Sequence, residues 1–105
     1  MTEEAIKFRD IDKIKFIVKD ATGLDIMYAY DDLIFPEHGA FIIRFNDDDD
    51  KSVFCHFHKD CTEPEEKQIL TSLGKTGQLN DLRIIKGTEF EMRQKDKEQF
   101  EIKFR

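Results

Sequence analysis

Within seven residues, Cys55, His56, His58 and Cys61 gather both cysteines and two of the three histidines of the chain. Thiolates and imidazoles are zinc ligands, and together they form the nucleophile and base of thiol enzymes. What they can do depends on where the backbone points them. Val53, Cys55 and Phe57 alternate with Phe54, His56 and His58, which predicts an extended strand over 52–58. A strand sends neighbouring side chains to opposite faces. Cys55 is therefore expected to face a core, with His56 and His58 turned outward, roughly 6.5–7 Å apart at Cα.

Closed zinc sites use ligand pairs spaced as C-x(2–4)-C or H-x(3–5)-H and bring about four ligands to one point. Two aligned histidines fall short of that motif. A metal would need His56 and His58 together with Cys61 and a ligand from elsewhere. No cofactor is expected, and zinc at these three residues is the alternative. The plainer reading makes Cys55 a small buried hydrophobe and the two histidines exposed strand residues.

Cys61 precedes a second helix, whose N-terminal partial charge lowers thiol pKa values, and His58 lies close enough in sequence to act as a base. Three glutamates in the same turn, Glu63, Glu65 and Glu66, oppose a thiolate there. The run Asp47–Asp50 lacks the alternating ligands, central glycine and distal glutamate of a calcium loop, and reads as a solvated hairpin tip. Asp31, Asp32, Glu37 and His38 supply carboxylates and an imidazole but no signature of a pocket. Glycine-rich phosphate loops, H-E-x-x-H and serine elbows are all missing from the sequence. An enzyme is not expected.

Aromatic residues are the remaining feature. Most of the ten phenylalanines fall on alternating inward positions. Phe54, on the histidine side, and Tyr28 and Tyr30 do not share that face. Exposed aromatics on a polar sheet mark a contact surface, so these three are the candidate partner-binding residues.

The elements that carry these residues follow from periodicity. Ile11, Ile14, Ile17, Val18 and Ala21 share one face of a helix over 10–22, with Gly23 as its left-handed stop and Leu24 folding back. Ile14, Phe16 and Val18 also alternate with lysines, so a strand is the competing reading. Residues 1–9 form a charged lead-in containing Ile6 and Phe8.

Ile26 to Phe35 reads as one strand, bent at Asp31 and Asp32. Pro36–Gly39 is a turn, and Ala40–Phe45 runs back. Thr62-Glu63-Pro64-Glu65 is a capping box that opens a helix ending at Gly74. Leu82 to Met92 then forms a strand with a bulge at Gly87, a turn spans Gln94–Glu98, and Phe100, Ile102 and Phe104 return. On the other side of that hairpin Glu89, Glu91 and Arg93 stand against Glu101, Lys103 and Arg105, so opposite charges can pair across a wet face.

These elements predict an α+β two-layer sandwich over a single domain, residues 1–105. It has an antiparallel five-stranded sheet with two helices on one face, in the order α-β-β-β-α-β-β. The order resembles that of small bacterial secretion-chaperone-type domains, and the resemblance implies binding to other proteins and dimerisation.

Seventeen Lys and Arg against 23 Asp and Glu give a formal charge of −6, with the two signs interleaved throughout. Interleaving leaves no basic stripe for phosphates, so no nucleic acid is expected as a partner. No apolar run reaches the ~20 residues that span a bilayer, so no membrane is expected either. The acidic N-terminus and unpaired cysteine usage point to a cytoplasmic chain. The expected function is a non-enzymatic protein-interaction module, bound to a protein partner or to itself. The alternatives are a zinc module and an acidic protein that binds a basic partner or mimics nucleic acid.

Overall fold

The computed structural model describes residues 11–30, 32–96 and 99–105. Residues 1–10, Asp31, Lys97 and Glu98 lie outside the described residues, as do the side chains of Gln94, Lys95, Gln99 and Phe100; the expected lead-in, the bend at Asp31 and part of the expected turn over Gln94–Glu98 fall there. Helix α1 spans Ile11–Thr22 and buries Ile14, Ile17 and Val18, so the three-and-four spacing prevails over the strand reading. Its stop is the expected one: Gly23 takes φ +80°, and its N–H donates to the Lys19 carbonyl at 2.8 Å. Thr22 Oγ1 donates to the Val18 carbonyl and accepts from the Leu24 N–H, which turns Leu24 back onto the core.

Strands β1 (Ile26–Tyr30), β2 (Leu33–Pro36), β3 (Phe41–Phe45) and β4 (Ser52–Phe57) form an antiparallel meander. The expected single strand across Asp31 and Asp32 is instead a hairpin. Tyr30 pairs with Leu33 across an antiparallel ladder. Helix α2 (Glu63–Leu79) opens with the predicted box, the Thr62 N–H donating to Glu65 at 3.1 Å and the Glu65 N–H to Thr62 Oγ1 at 3.4 Å.

That helix does not stop at Gly74. It continues to Leu79, and Asp81 at φ 64° makes the left-handed turn. Gly77 is what the longer helix needs: a Cβ there would lie 2.6 Å from the Leu82 carbonyl oxygen. A helix of this length carries the chain back along β4, so strand β5 (Arg83–Lys86) must run parallel to it, Ser52 to Cys55 facing Arg83 to Lys86. The sheet is therefore mixed, in the order β1-β2-β3-β4-β5, and not purely antiparallel.

Gly87 is not a bulge within one strand. The chain leaves the sheet there and forms a separate hairpin of β6 (Phe90–Asp96) and β7 (Gln99–Phe104). The order is α-β-β-β-β-α-β-β-β, which replaces both the predicted order and the basis for the likeness to secretion-chaperone-type domains. Opposite charges do meet across the hairpin, and the structure supplies the register, Glu91 facing Lys103 and Arg93 facing Glu101.

Two apolar clusters lie on opposite sides of the sheet. Ile34, Phe41, Ile43, Phe45, Val53, Cys55 and Phe57 pack against Ile14, Ile17 and Val18 of α1 and Leu73 of α2. On the other side Phe35 and Ile42 pack against Phe90, with Leu33, Met92 and Ile102 around them. The second face is thus covered by the β6–β7 hairpin. The expected two layers are three, and the face read as wet is partly dry. Among the described residues, no helix is long and apolar enough to cross a membrane.

Candidate functional site

Strand β4 does separate its thiol from its imidazoles. Cys55 is fully buried among the helix-side residues, and burial pushes its thiol well above the ordinary range. Its neighbour His56 faces the other way, yet it is only 3% exposed because the hairpin lies over it. This corrects the expectation of two wet histidines.

Both ring nitrogens of His56 are engaged. Nδ1 lies 2.7 Å from the Thr88 carbonyl oxygen, and Nε2 lies 3.1 Å from Arg44 Nε. A carbonyl can only accept, so Nδ1 carries the proton and Nε2 accepts from arginine. The ring sits 4.6 Å from that of Phe104. A Cβ at position 87 would fall 2.5 Å from the imidazole, so only glycine lets the backbone pass this close. Burial, more than any other influence, holds the His56 pKa below the usual 6.5; Arg44 adds to this, while the Thr88 hydrogen bond and Asp32 oppose it.

His58 ends the same side of the strand in a different setting. Its Nδ1 accepts from the Asp60 N–H at 3.0 Å, and its ring stands edge-on to Phe90 at 5.3 Å. Cys61 is partly exposed, and its Sγ lies 3.9 Å from a Glu65 carboxylate oxygen. Burial raises its pKa first, and Glu65 and Glu66 raise it further, so the helix N-terminus yields a thiol and not a thiolate. The capping box already satisfies that terminus from within the chain. His56, His58 and Cys61 are not brought to one point. Among the described residues, no three His, Cys, Asp or Glu side chains are grouped to hold a metal ion.

The aromatic candidates divide. Phe54 is half-buried beneath the Arg44 guanidinium, whose carbon lies 4.7 Å from the ring centroid, so the chain's own cation covers it. Tyr28 and Tyr30 stay open, 55% and 70% exposed, with Met27 beside them at 64%. Tyr28 stacks on Phe35 at 4.6 Å with an interplanar angle of 18°, which fixes the ring without hiding it. All three lie on β1, an outer strand of the sheet.

Sequence reasoning did not reach two groups. Arg44, which joins Phe54 to His56, has no motif; only the register of Arg44 with Phe54 could have found it. Glu66 is buried in α2, and its carboxylate lies 3.0 Å from Lys86 Nζ. That pair is invisible until β5 is known to be parallel.

Comparison with protein-family models, with curated proteins and with solved structures gives no match for this chain.

Proposed function

We propose that the protein is a non-enzymatic interaction module that receives an extended peptide segment of a protein partner along β1. The observation that carries this reading is the exposure of Met27, Tyr28 and Tyr30 together on an outer strand. Outer strands offer unpaired backbone groups, and natural proteins usually guard them with charge, proline or cover. Strand β1 has no charged residue or proline within Ile26–Tyr30, and among the described residues Met27 to Tyr30 stay exposed. Rigid tyrosines supply contact area at little entropic cost, which suits strand addition, where backbone bonds give affinity and side chains give selectivity.

The charge of the chain selects among occupants. A net −6, with Asp25 before β1 and Asp31 and Asp32 after it, favours a peptide that places apolar side chains on the tyrosines and Lys or Arg beside them. The same charge opposes a second copy of the chain. The state of the thiols also favours binding over catalysis, because both are held as neutral S–H groups.

The test is a selection of displayed random peptides on the immobilised protein, run in parallel on a Tyr28→Lys/Tyr30→Lys variant. Sequences mixing apolar and basic residues should be enriched on the natural chain and lost on the variant. Enrichment of nothing, or of the same peptides on both, would contradict the reading. So would a stable dimer seen by light scattering and abolished by the double substitution.

A further inference from the structure

We propose that His56 is a pH-sensitive latch that holds the β6–β7 hairpin on the sheet while neutral and loosens it on protonation. This goes beyond the peptide-binding reading and does not rest on it.

The geometry defines what a second proton would meet. It can add only at Nε2, and Nε2 is occupied by the Arg44 N–H. Protonation turns an acceptor into a donor facing a donor and sets an imidazolium against a guanidinium. The hydrogen bond from Nδ1 to Thr88 survives, because that nitrogen donates in both states. The conflict therefore falls on the Arg44 side and on the apolar cover.

Other groups do little to relieve it. From the β1–β2 turn, Asp32 is the carboxylate that favours the charged ring, and it is outweighed by burial. Strand β4 and β7 present Phe54 and Phe104, and the segment before β6 presents Gly87 and Thr88. Among the described residues, Arg44 and Asp32 are the charged groups acting on the ring.

The two sides of the ring differ in how easily they yield. Arg44 and His56 stand on β3 and β4, which are locked in register from Phe41 with Phe57 to Phe45 with Val53. The hairpin joins the sheet through the His58–Phe90 bridge and the Phe90 cluster. Water reaches a charged imidazole most easily if Phe104 moves away, with Thr88 still bonded to Nδ1. That motion would open Phe35, Ile42 and Phe90 to solvent.

The sign follows from linkage. The closed form holds its proton less tightly than a free imidazole of pKa about 6.5, so closure is fully favoured above that value. The advantage declines as the pH falls from about 6.5 through the lowered pKa. His58 also touches the hairpin at Phe90, but its Nδ1 is engaged by the Asp60 N–H, away from the contact between His56 and Arg44, and His56→Gln leaves it in place.

Amide hydrogen exchange between pH 7.5 and 5, corrected for intrinsic rates, reads the motion directly. Protection of Phe90–Met92 and Ile102–Phe104 should fall by up to about tenfold per pH unit below 6.5, the limit for one proton. Protection in β3 and β4 should hold. His56→Gln, which cannot titrate, should abolish the slope. Should that variant fail to fold, Arg44→Leu removes the opposing cation, brings the closed-form pKa nearer to 6.5 and should make the slope level off at a higher pH with a smaller total loss of protection. Hairpin protection that is flat with pH in the natural chain, or a slope unchanged in His56→Gln or Arg44→Leu, would overturn the proposal.

Discussion

The two outer strands of the sheet are built in opposite ways. Strand β5 is four residues long, exposes Arg83 and Lys86, and keeps Ile84 and Ile85 partly covered. Lys86 is tied to Glu66 of α2, which holds its ammonium above the usual lysine range. Short length and end charges are the usual guard against pairing with another chain. Strand β1 has neither lysine nor arginine and exposes Met27, Tyr28, Ala29 and Tyr30 in succession. A chain that guards one edge and leaves the other aromatic has the means to protect both. The difference is what supports the proposal that β1 receives a partner.

The comparison breaks most severely if the tyrosines are dispensable. Tyr28→Lys/Tyr30→Lys should weaken a selected peptide at least about a hundredfold, aromatic anchors being worth roughly 2 kcal/mol or more each at hot spots. Titration calorimetry on the natural and variant chains measures this. Thermal unfolding should show the variant folded, since exposed substitutions usually change stability by within about 0.5 kcal/mol.

The guarded edge makes the next demand. Gly77→Ala improves helix propensity but forces a Cβ onto the Leu82 carbonyl, so overpacking should win and cost about 1–3 kcal/mol in urea unfolding. Gly87→Ala should cost a similar amount, because its Cβ would strike the His56 ring. The smallest effect belongs to Lys86→Met. Its ammonium is largely exposed, so losing the pair should change stability by less than about 1 kcal/mol.

Thiol chemistry sharpens the same contrast between sealed and open regions. At pH 8, Cys61 should react with a disulfide reagent more slowly than a free thiol, because its pKa is raised. Cys55 should react only on unfolding. Two fast equivalents in the folded protein would contradict the burial described for β4.

Much of this was legible in the sequence where one local rule decides the outcome. Gly23, the Thr62–Glu65 box and the meeting of opposite charges between β6 and β7 follow from spacing alone, and the structure agrees at each. The orientation of Cys55 follows from period two. The failures came where a local pattern admits two global solutions. The stretch from Ile26 to Phe35 fits one bent strand or two paired ones, and only the pairing of Tyr30 with Leu33 decides.

Gly74 looks like a helix stop, yet the next strand lies farther along, and the helix must reach it. Gly87 looks like a bulge in one strand, whereas its lack of a side chain serves the His56 ring packed against it. His56 itself reads as exposed because alternation reports a face, not what later folds over that face. Tyr28 and Tyr30 were legible because they stay exposed, as alternation suggests; Phe54 was not, because Arg44 covers it.

The most direct measurement is amide chemical-shift mapping of the isotopically labelled protein as a selected peptide is added. The account predicts changes concentrated at Met27, Tyr28, Ala29 and Tyr30, with slowed exchange there and silence at Arg83–Lys86. Changes centred on β5, on the hairpin or on Cys61, with β1 unmoved, would contradict it.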